Sequence, residues 1–359
     1  MANLLDYIKK YAYHTFEEKK FNDVDNLIFS ALSYLDFSKL VSNKRKYKRL
    51  EEVGQSFFEL YSFHEVAKKG LAQKESYKVF KKMYQTKRFK DVLLYAYEYI
   101  ANSETQFCGV SFKINKNLTY IAFEGTDDLL SGWKEDFELS YKFPIASQQY
   151  ATNYLNKNIS FLDKEVLVGG HSKGGNLALV ASMLCNVLSK RKIKKIYNND
   201  GPGLRENEIT LKRYRFIEQK IMHIVPSYSL IGVLFEYKTL KVIQSSRKDL
   251  LAHSLLTWQI KEYKLIEAEL SEFSKSIHKS LQEWLNHHDV LEREKMITSF
   301  FQVLEKSGIY SLNDLKHLKK AIEVIKNLKN MDKETRTLIL QFLEFNLSCL
   351  LNNYESIIK

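Results

Sequence analysis

Glu165-Val-Leu-Val-Gly-Gly-His-Ser-Lys-Gly-Gly-Asn-Leu-Ala178 is an apolar run that breaks into glycines around one serine and then turns apolar again as far as Leu188. Its first four residues suit a buried strand, and Asn176 to Leu188 suits a helix packed against it. Between the two, Gly170-His171-Ser172-Lys173-Gly174 is a G-x-S-x-G set where strand passes to helix. A sharp turn there lifts the serine hydroxyl above the sheet, and Gly170 and Gly174 sit where side chains would collide. Gly175 lets the helix lie close to neighbouring strands. The helix start offers free N–H groups and a partial positive charge, so the backbone N–H of Lys173 is a candidate oxyanion donor. Neither G-x-x-x-x-G-K-[ST] nor G-x-G-x-x-G fits Gly169 to Gly175, which removes the nucleotide loops on spacing. A plain tight turn remains the alternative to a nucleophile elbow.

Outward from this stretch, ten of the thirteen glycines lie between Gly109 and Gly232, together with all three prolines, Pro144, Pro202 and Pro226. Loops and tight turns are therefore central, and the flanks, rich in Leu, Lys, Glu and Tyr, suit long helices. Within the window, Phe107 to Phe112 and Leu118 to Phe123 read as strands joined by a turn at Lys113 to Asn117. A helix is expected over Ile145 to Leu155, and further strands over Lys194 to Asn198, Lys220 to Val225 and Thr239 to Gln244. Strands alternating with helices imply a mostly parallel sheet covered on both faces. Beyond about residue 260, Leu318, Ile322, Ile325 and Leu328 recur at helical spacing, and Ser311-x-x-Asp314 resembles a capping box. That apolar stripe reads as core against the body or a partner helix.

A chain of 359 residues with 45% hydrophobic and 27% charged residues is an ordinary globular protein of about two domains. Cys108, Cys185 and Cys349 include no C-x-x-C pair, so neither a disulfide framework nor a cysteine zinc site is expected. The N-terminus MANLLDYIKKYAYHTFEEKK has no signal-peptide pattern, and Val166 to Leu188 is interrupted by His171, Ser172, Lys173 and Asn176, so a cytoplasmic protein is expected. The net charge of +12 is spread along the chain and mixed with 43 acidic residues. No nucleic-acid motif accompanies it, and no nucleic-acid partner is expected. The basic runs Lys44 to Arg49 and Lys190 to Lys195 are candidates for peripheral contact with anionic lipid, solvated faces being the plainer reading.

The segments FEGTDD at 123–128, WKED at 133–136 and GGHSKGGNLA at 169–178 resemble the class 3 lipase branch of the α/β-hydrolases. More narrowly, the chain resembles the bacterial Mbeg-like group of hydrolase-like proteins. The residues for this match are DNLIFSALSYLDF at 25–37, FEGTDD, GGHSKGGNLA, NDGPG at 199–203, IVPSYSLIG at 224–232 and AHSLLTW at 252–258. The resemblance implies an α/β-hydrolase domain over residues 1–260, with a helical lead-in over 1–105 and a catalytic core over 106–260. Residues 261–359 then form a helical extension with no partner assigned.

It also implies roles. Ser172 matches the nucleophile, Thr126 the second oxyanion-hole residue beside Lys173, and His253 the general base. Trp133 and Asp136 match a structural W-x-x-D. Two positions depart from the lipase pattern: Glu124 stands where Arg is usual, and His223-Ile224-Val225-Pro226 stands where Asp-x-Val-Pro carries the triad acid. The favoured replacement is Asp200, at the carboxyl end of a predicted strand, either as triad acid or as an Asx-turn residue. Asp249 and Glu236 are weaker candidates. His171 is expected to pack away from the nucleophile, and His223 to be a satisfied core histidine. His14, His64, His278, His287, His288 and His317 fall in helical flanks, and His287-His288 diverge too far to bind metal together. No cofactor or metal is expected. The reaction implied is hydrolysis of a carboxylic ester, lipid or small molecule, through an acyl-enzyme. Acyl transfer shares that intermediate, and a degenerate binding or scaffold protein on the same fold is the alternative from another class.

Overall fold

The computed structural model describes residues 2–340 except 128, 312–313, 315–317, 334–335 and 338. Cys349, His317, Asp128 and the side chain of Leu318 lie outside the described residues. Eight strands form one sheet in chain order: β1 (Lys48–Arg49), β2 (Leu93–Ala101), β3 (Gln106–Lys113), β4 (Leu118–Phe123), β5 (Glu165–His171), β6 (Ile193–Asn199), β7 (Ile221–Pro226) and β8 (Lys241–Ile243). The pairs from β1 to β4 are antiparallel, and those from β4 to β8 are parallel. This is the mostly parallel α/β sheet expected from the sequence.

Helices cover both faces. Alternation along β4 divides the core: Tyr120 and Ala122 pack with Leu27, Ile28 and Phe80 of helices Asp23–Leu32 and Leu71–Met83. Ile121 and Phe123 point to the other face, among Tyr154, Leu155, Leu177 and Val180 of helices Ala146–Asn158 and Lys173–Leu184. The parallel register sets Phe123 beside Gly170 and Gly170 beside Asn198, so the carboxyl ends of β4, β5 and β6 finish level.

Three expectations need correction. The lead-in is not wholly helical, because it contains β1 and β2. Tyr95, Tyr97 and Tyr99 alternate as a strand does, but a one-residue bulge at Ala96, where φ is 56°, reverses the faces partway. Tyr95 consequently joins one core and Tyr97 the other. The helix expected from Asn176 to Leu188 starts earlier, at Lys173, and stops at Leu184, with a separate short helix at Val187–Lys192. Finally, Ile322 and Ile325 of the helix Leu318–Lys329 are 53% and 55% exposed rather than core. The contact with the body is made by the preceding helix, Val290–Lys306. Its Ile297, Phe301 and Leu304 pack on Leu130, Trp133 and Phe137 of the helix Leu130–Glu138, and Val324 joins them from the helix Leu318–Lys329. Asp314 accepts from the Ser311 N–H, the returning half of a capping box, although the described helix begins only at Leu318.

The hairpin Ile260–Lys261/Lys264–Leu265 spans the boundary drawn at residue 260, and both Ile260 and Leu265 lie in the main core. The basic runs are partly tied down: Arg45 donates to Asp163 at 2.9 Å, Lys190 Nζ to the Met183 carbonyl at 2.6 Å, and Lys195 Nζ to Asp23 at 2.8 Å. Cys108 and Cys185 are buried free thiols. Among the described residues no helix is long and apolar enough to cross a membrane.

Candidate active site

Ser172 sits between β5 and the helix Lys173–Leu184 with φ 58° and ψ −134°, a left-handed conformation that a non-glycine residue holds only when its surroundings impose it. They do so from both sides. The Ser172 N–H donates to the Asn199 carbonyl at 3.0 Å, and its own carbonyl accepts from the Gly175 N–H at 2.9 Å. A Cβ on Gly174 would stand 2.2 Å from the Phe123 carbonyl oxygen, and one on Gly170 would stand 2.3 Å from the Gly174 carbonyl. Only glycine admits so close an approach of strand, turn and helix.

Asp200 follows β6 directly, also in the left-handed region with φ 51°, and is fully buried. His253 closes the single helical turn Leu250–His253, and its Nδ1 lies 2.6 Å from Asp200 Oδ2. The other carboxylate oxygen accepts from Ser229 Oγ at 2.5 Å and from the Gly232 N–H at 3.1 Å. Of the two sequence readings of Asp200, the turn role belongs to its neighbour but one. Asn198 Oδ1 accepts from the Gly201 N–H at 3.0 Å, while Asn198 Nδ2 donates to the Gly201 and Pro202 carbonyls. Asp249 instead caps Leu251 and pairs with Arg247, and Glu236 lines a separate cavity with His223 and Tyr237.

The loop after β4 is held by the W-K-E-D segment. Thr126 Oγ1 donates to Asp136 Oδ2 at 2.5 Å, and Trp133 Nε1 donates to the Asp127 carbonyl at 3.0 Å. Burial, opposed in part by Lys173, pushes the Asp136 carboxyl up to about 6. Burial likewise holds the Glu124 carboxyl well above the carboxylate range, with Asp127 adding to the effect.

Several supporting residues escaped the sequence reading. The Lys173 ammonium is buried and lies 3.1 Å from Glu135, which also accepts from Thr105 Oγ1, the Gln106 N–H and the Ser147 N–H. That pair fixes the residue whose backbone N–H follows Ser172. His171 does more than pack. Its ring lies 4.3 Å from that of His253, its Nε2 is 2.8 Å from the His253 carbonyl, and its Nδ1 is 3.0 Å from the Tyr34 hydroxyl. A carbonyl only accepts, so Nε2 carries the proton and Nδ1 accepts from Tyr34. Burial keeps this ring neutral by pushing its pKa well below the ordinary value. Tyr34, Ser229 and Gly232 all belong to segments 25–37 and 224–232, whose joint presence was the available signal. Asn26, from the first of these segments, donates to Asn199 at 2.8 Å, and Asn199 donates to the Gly170 carbonyl.

His223 is buried, lies 3.0 Å from the Gly201 carbonyl and is pushed down to about 4 by burial. His287 Nδ1 is 2.6 Å from a carbonyl of its own helix. Among the described residues no three His, Cys, Asp or Glu side chains converge as a metal site.

Ser172, His253, Thr126 and Asp136 open on one cavity of about 290 Å³. The rest of its wall is mainly apolar: Trp133, Phe137, Ile231, Leu234 and Phe235 from the body, and Leu281, Trp284 and Ile297 from the C-terminal helices Glu272–His287 and Val290–Lys306. An apolar chamber with a few convergent polar groups suits a ligand with one polar reacting centre and an apolar body.

A solved structure titled as M37 lipase is similar to this chain, at 16% identity over 71% of this chain and 78% of its own, with a TM-score of 0.35. No curated protein matches the chain. The Mbeg1-like family matches residues 83–302, well over half of the sequence and the whole sheet from β2 onward, and the chain belongs to that family.

Proposed function

We propose that the protein is a serine hydrolase that cleaves a carboxylic ester through an acyl-enzyme, with Ser172 as nucleophile, His253 as general base and Asp200 as the acid that orients it. The observation that carries this reading is the 2.6 Å contact of His253 Nδ1 with buried Asp200, beside a cavity that also holds the elbow serine. Asp200 keeps the imidazole in the tautomer whose Nε2 is free to take a proton. As Ser172 Oγ bonds to the carbonyl carbon, its proton passes to Nε2 and the carbonyl pair moves onto oxygen. The N–H groups of Lys173 and Thr126 receive that oxyanion at the helix start. Collapse breaks the bond to the alcohol, which leaves with the proton from His253. Water then repeats the sequence and frees the acid. Acyl transfer differs only in the final acceptor. The apolar wall favours an apolar acyl group, and a cytoplasmic setting agrees with the free thiols.

The test is labelling by a fluorophosphonate, which reports an activated serine without requiring the substrate, followed by peptide mapping. Modification of Ser172 is expected, with loss of labelling in both Ser172→Ala and His253→Ala. A folded wild-type protein that resists the probe would instead favour a binding or scaffold role.

A further inference from the structure

The amino end of the parallel strands carries a surface that the proposed chemistry does not use. Because β5, β6 and β7 are neighbours, the segments leading into them lie side by side: residues 160–164, the helix Val187–Lys192, and residues 216–220. Phe161 is 85% exposed, Leu162 68%, Leu188 73% and Phe216 52%. The segments are knitted together. Lys192 Nζ donates to the Phe161 carbonyl at 2.7 Å, Lys220 Nζ donates to the Lys190 carbonyl at 3.0 Å, and both the Lys190 and Lys220 ammoniums lie within 6 Å of the Phe216 ring centre, at 5.8 and 5.2 Å. One apolar patch therefore spans all three.

Its border is predominantly cationic. Lys164, Arg191, Lys194 and Arg213 are exposed and enter no ion pair among the described residues. Of the nearby carboxylates, Asp163 is committed to Arg45 and Lys113 and Glu218 to Lys238, which leaves exposed Glu165 at the start of β5 against these four cations. Burial, with Arg213 alongside, holds the Lys190 ammonium below its ordinary value. Burial, with Lys194 and Lys190, does the same at Lys220. Cations crowded around exposed phenylalanine and leucine match a bilayer surface, where phosphates meet the charges and the interfacial layer takes the apolar groups. A single-stranded nucleic acid would satisfy the cations and stack on Phe161 and Phe216, but it would leave Leu162 and Leu188 wet.

We propose that this amino-end face docks the protein peripherally on anionic lipid, with Phe161, Leu162, Leu188 and Phe216 entering the interface and Lys164, Arg191, Lys194 and Arg213 meeting the headgroup phosphates. The proposal is independent of the reading of Ser172. The experiment is sedimentation of the full-length protein with phosphatidylcholine vesicles, with and without phosphatidylglycerol, at rising salt. Binding should require the anionic lipid and weaken with salt, falling about fivefold for each cation removed. Arg191→Glu with Lys194→Glu should lose it by more than tenfold, and Phe161→Ser with Leu188→Ser should weaken it without altering the salt dependence. All of these side chains are exposed, so the variants should keep the wild-type circular dichroism spectrum. Absence of binding to anionic vesicles, equal binding to phosphatidylcholine alone, wild-type binding by both double variants, or displacement by a single-stranded oligonucleotide at lower concentration would each overturn it.

Discussion

The two ends of the parallel strands are built on opposite terms. At the carboxyl end, Asp200, Asn198, Asn199 and His171 are polar and buried, and each is hydrogen-bonded. At the amino end, Phe161 and Leu188 are apolar and exposed. Burying a polar group without a partner costs about 1–3 kcal/mol, so the carboxyl end tolerates such residues only because their partners are complete. An exposed apolar side chain strains nothing and is neutral to folding. One end is therefore over-determined, and the other is free to serve a contact outside the molecule.

That contrast can be broken most severely at Asp200. Asp200→Asn should keep the fold, because Ser229 and Gly232 still have an oxygen to meet, while turnover of an activated ester should drop about 10³–10⁴-fold as the imidazole loses its orienting charge. A rate within tenfold of wild type would remove Asp200 from the chemistry.

Gly174→Ala attacks the same end through volume. A methyl group 2.2 Å from the Phe123 carbonyl oxygen forces strand and helix apart, and urea unfolding should show a loss of more than about 2 kcal/mol.

Acid sharpens the comparison. His223 is buried as a neutral ring, pushed down to about 4, whereas the unfolded chain protonates it near the ordinary value of about 6.5. Its contribution is whole above about 6.5 and declines as pH falls toward 4, by about 1.4 kcal/mol per unit. Asp136, raised to about 6, has the opposite sign below that pH because the native state holds its proton. The readout is therefore the difference in slope between wild type and His223→Asn, measured by thermal unfolding, and the variant should lose stability less steeply on acidification. At the amino end, Leu188→Ser should move stability by less than about 0.5 kcal/mol. A larger loss would mean that this face is structural.

The elbow was legible because its function depends on local sequence: two glycines, a serine and the change from strand to helix sit within ten residues. Six of the strands were also legible, since β3 to β8 are short runs rich in β-branched and aromatic residues that alternate with turns and helical stretches. β2 was missed although Tyr95, Tyr97 and Tyr99 alternate, because it lies in a flank whose Leu, Lys, Glu and Tyr content suits helices; that the bulge at Ala96 sends Tyr95 and Tyr97 to opposite faces is visible only in three dimensions. His253 and Asp200 could be placed through resemblance and strand ends, but the choice between catalytic acid and turn residue needed three-dimensional bonding, since Asn198 and Asp200 are equally suited to an Asx turn. The tie of His171 to Tyr34 spans 137 positions, and no local pattern announces such a contact. The outward-facing Ile322 and Ile325 show the converse: helical spacing identifies an apolar face without saying whether a partner covers it.

The cavity wall has a consequence for how specificity is encoded. The reacting groups lie between residues 126 and 253, whereas Leu281, Trp284 and Ile297, which close the far side, come from helices later in the chain. Under the proposed chemistry, the gene writes bond cleavage and a part of chain-length selection in separate stretches. Substitutions in the second can retune which acyl group fits while the first, with its tightly interlocked glycines and hydrogen bonds, stays untouched.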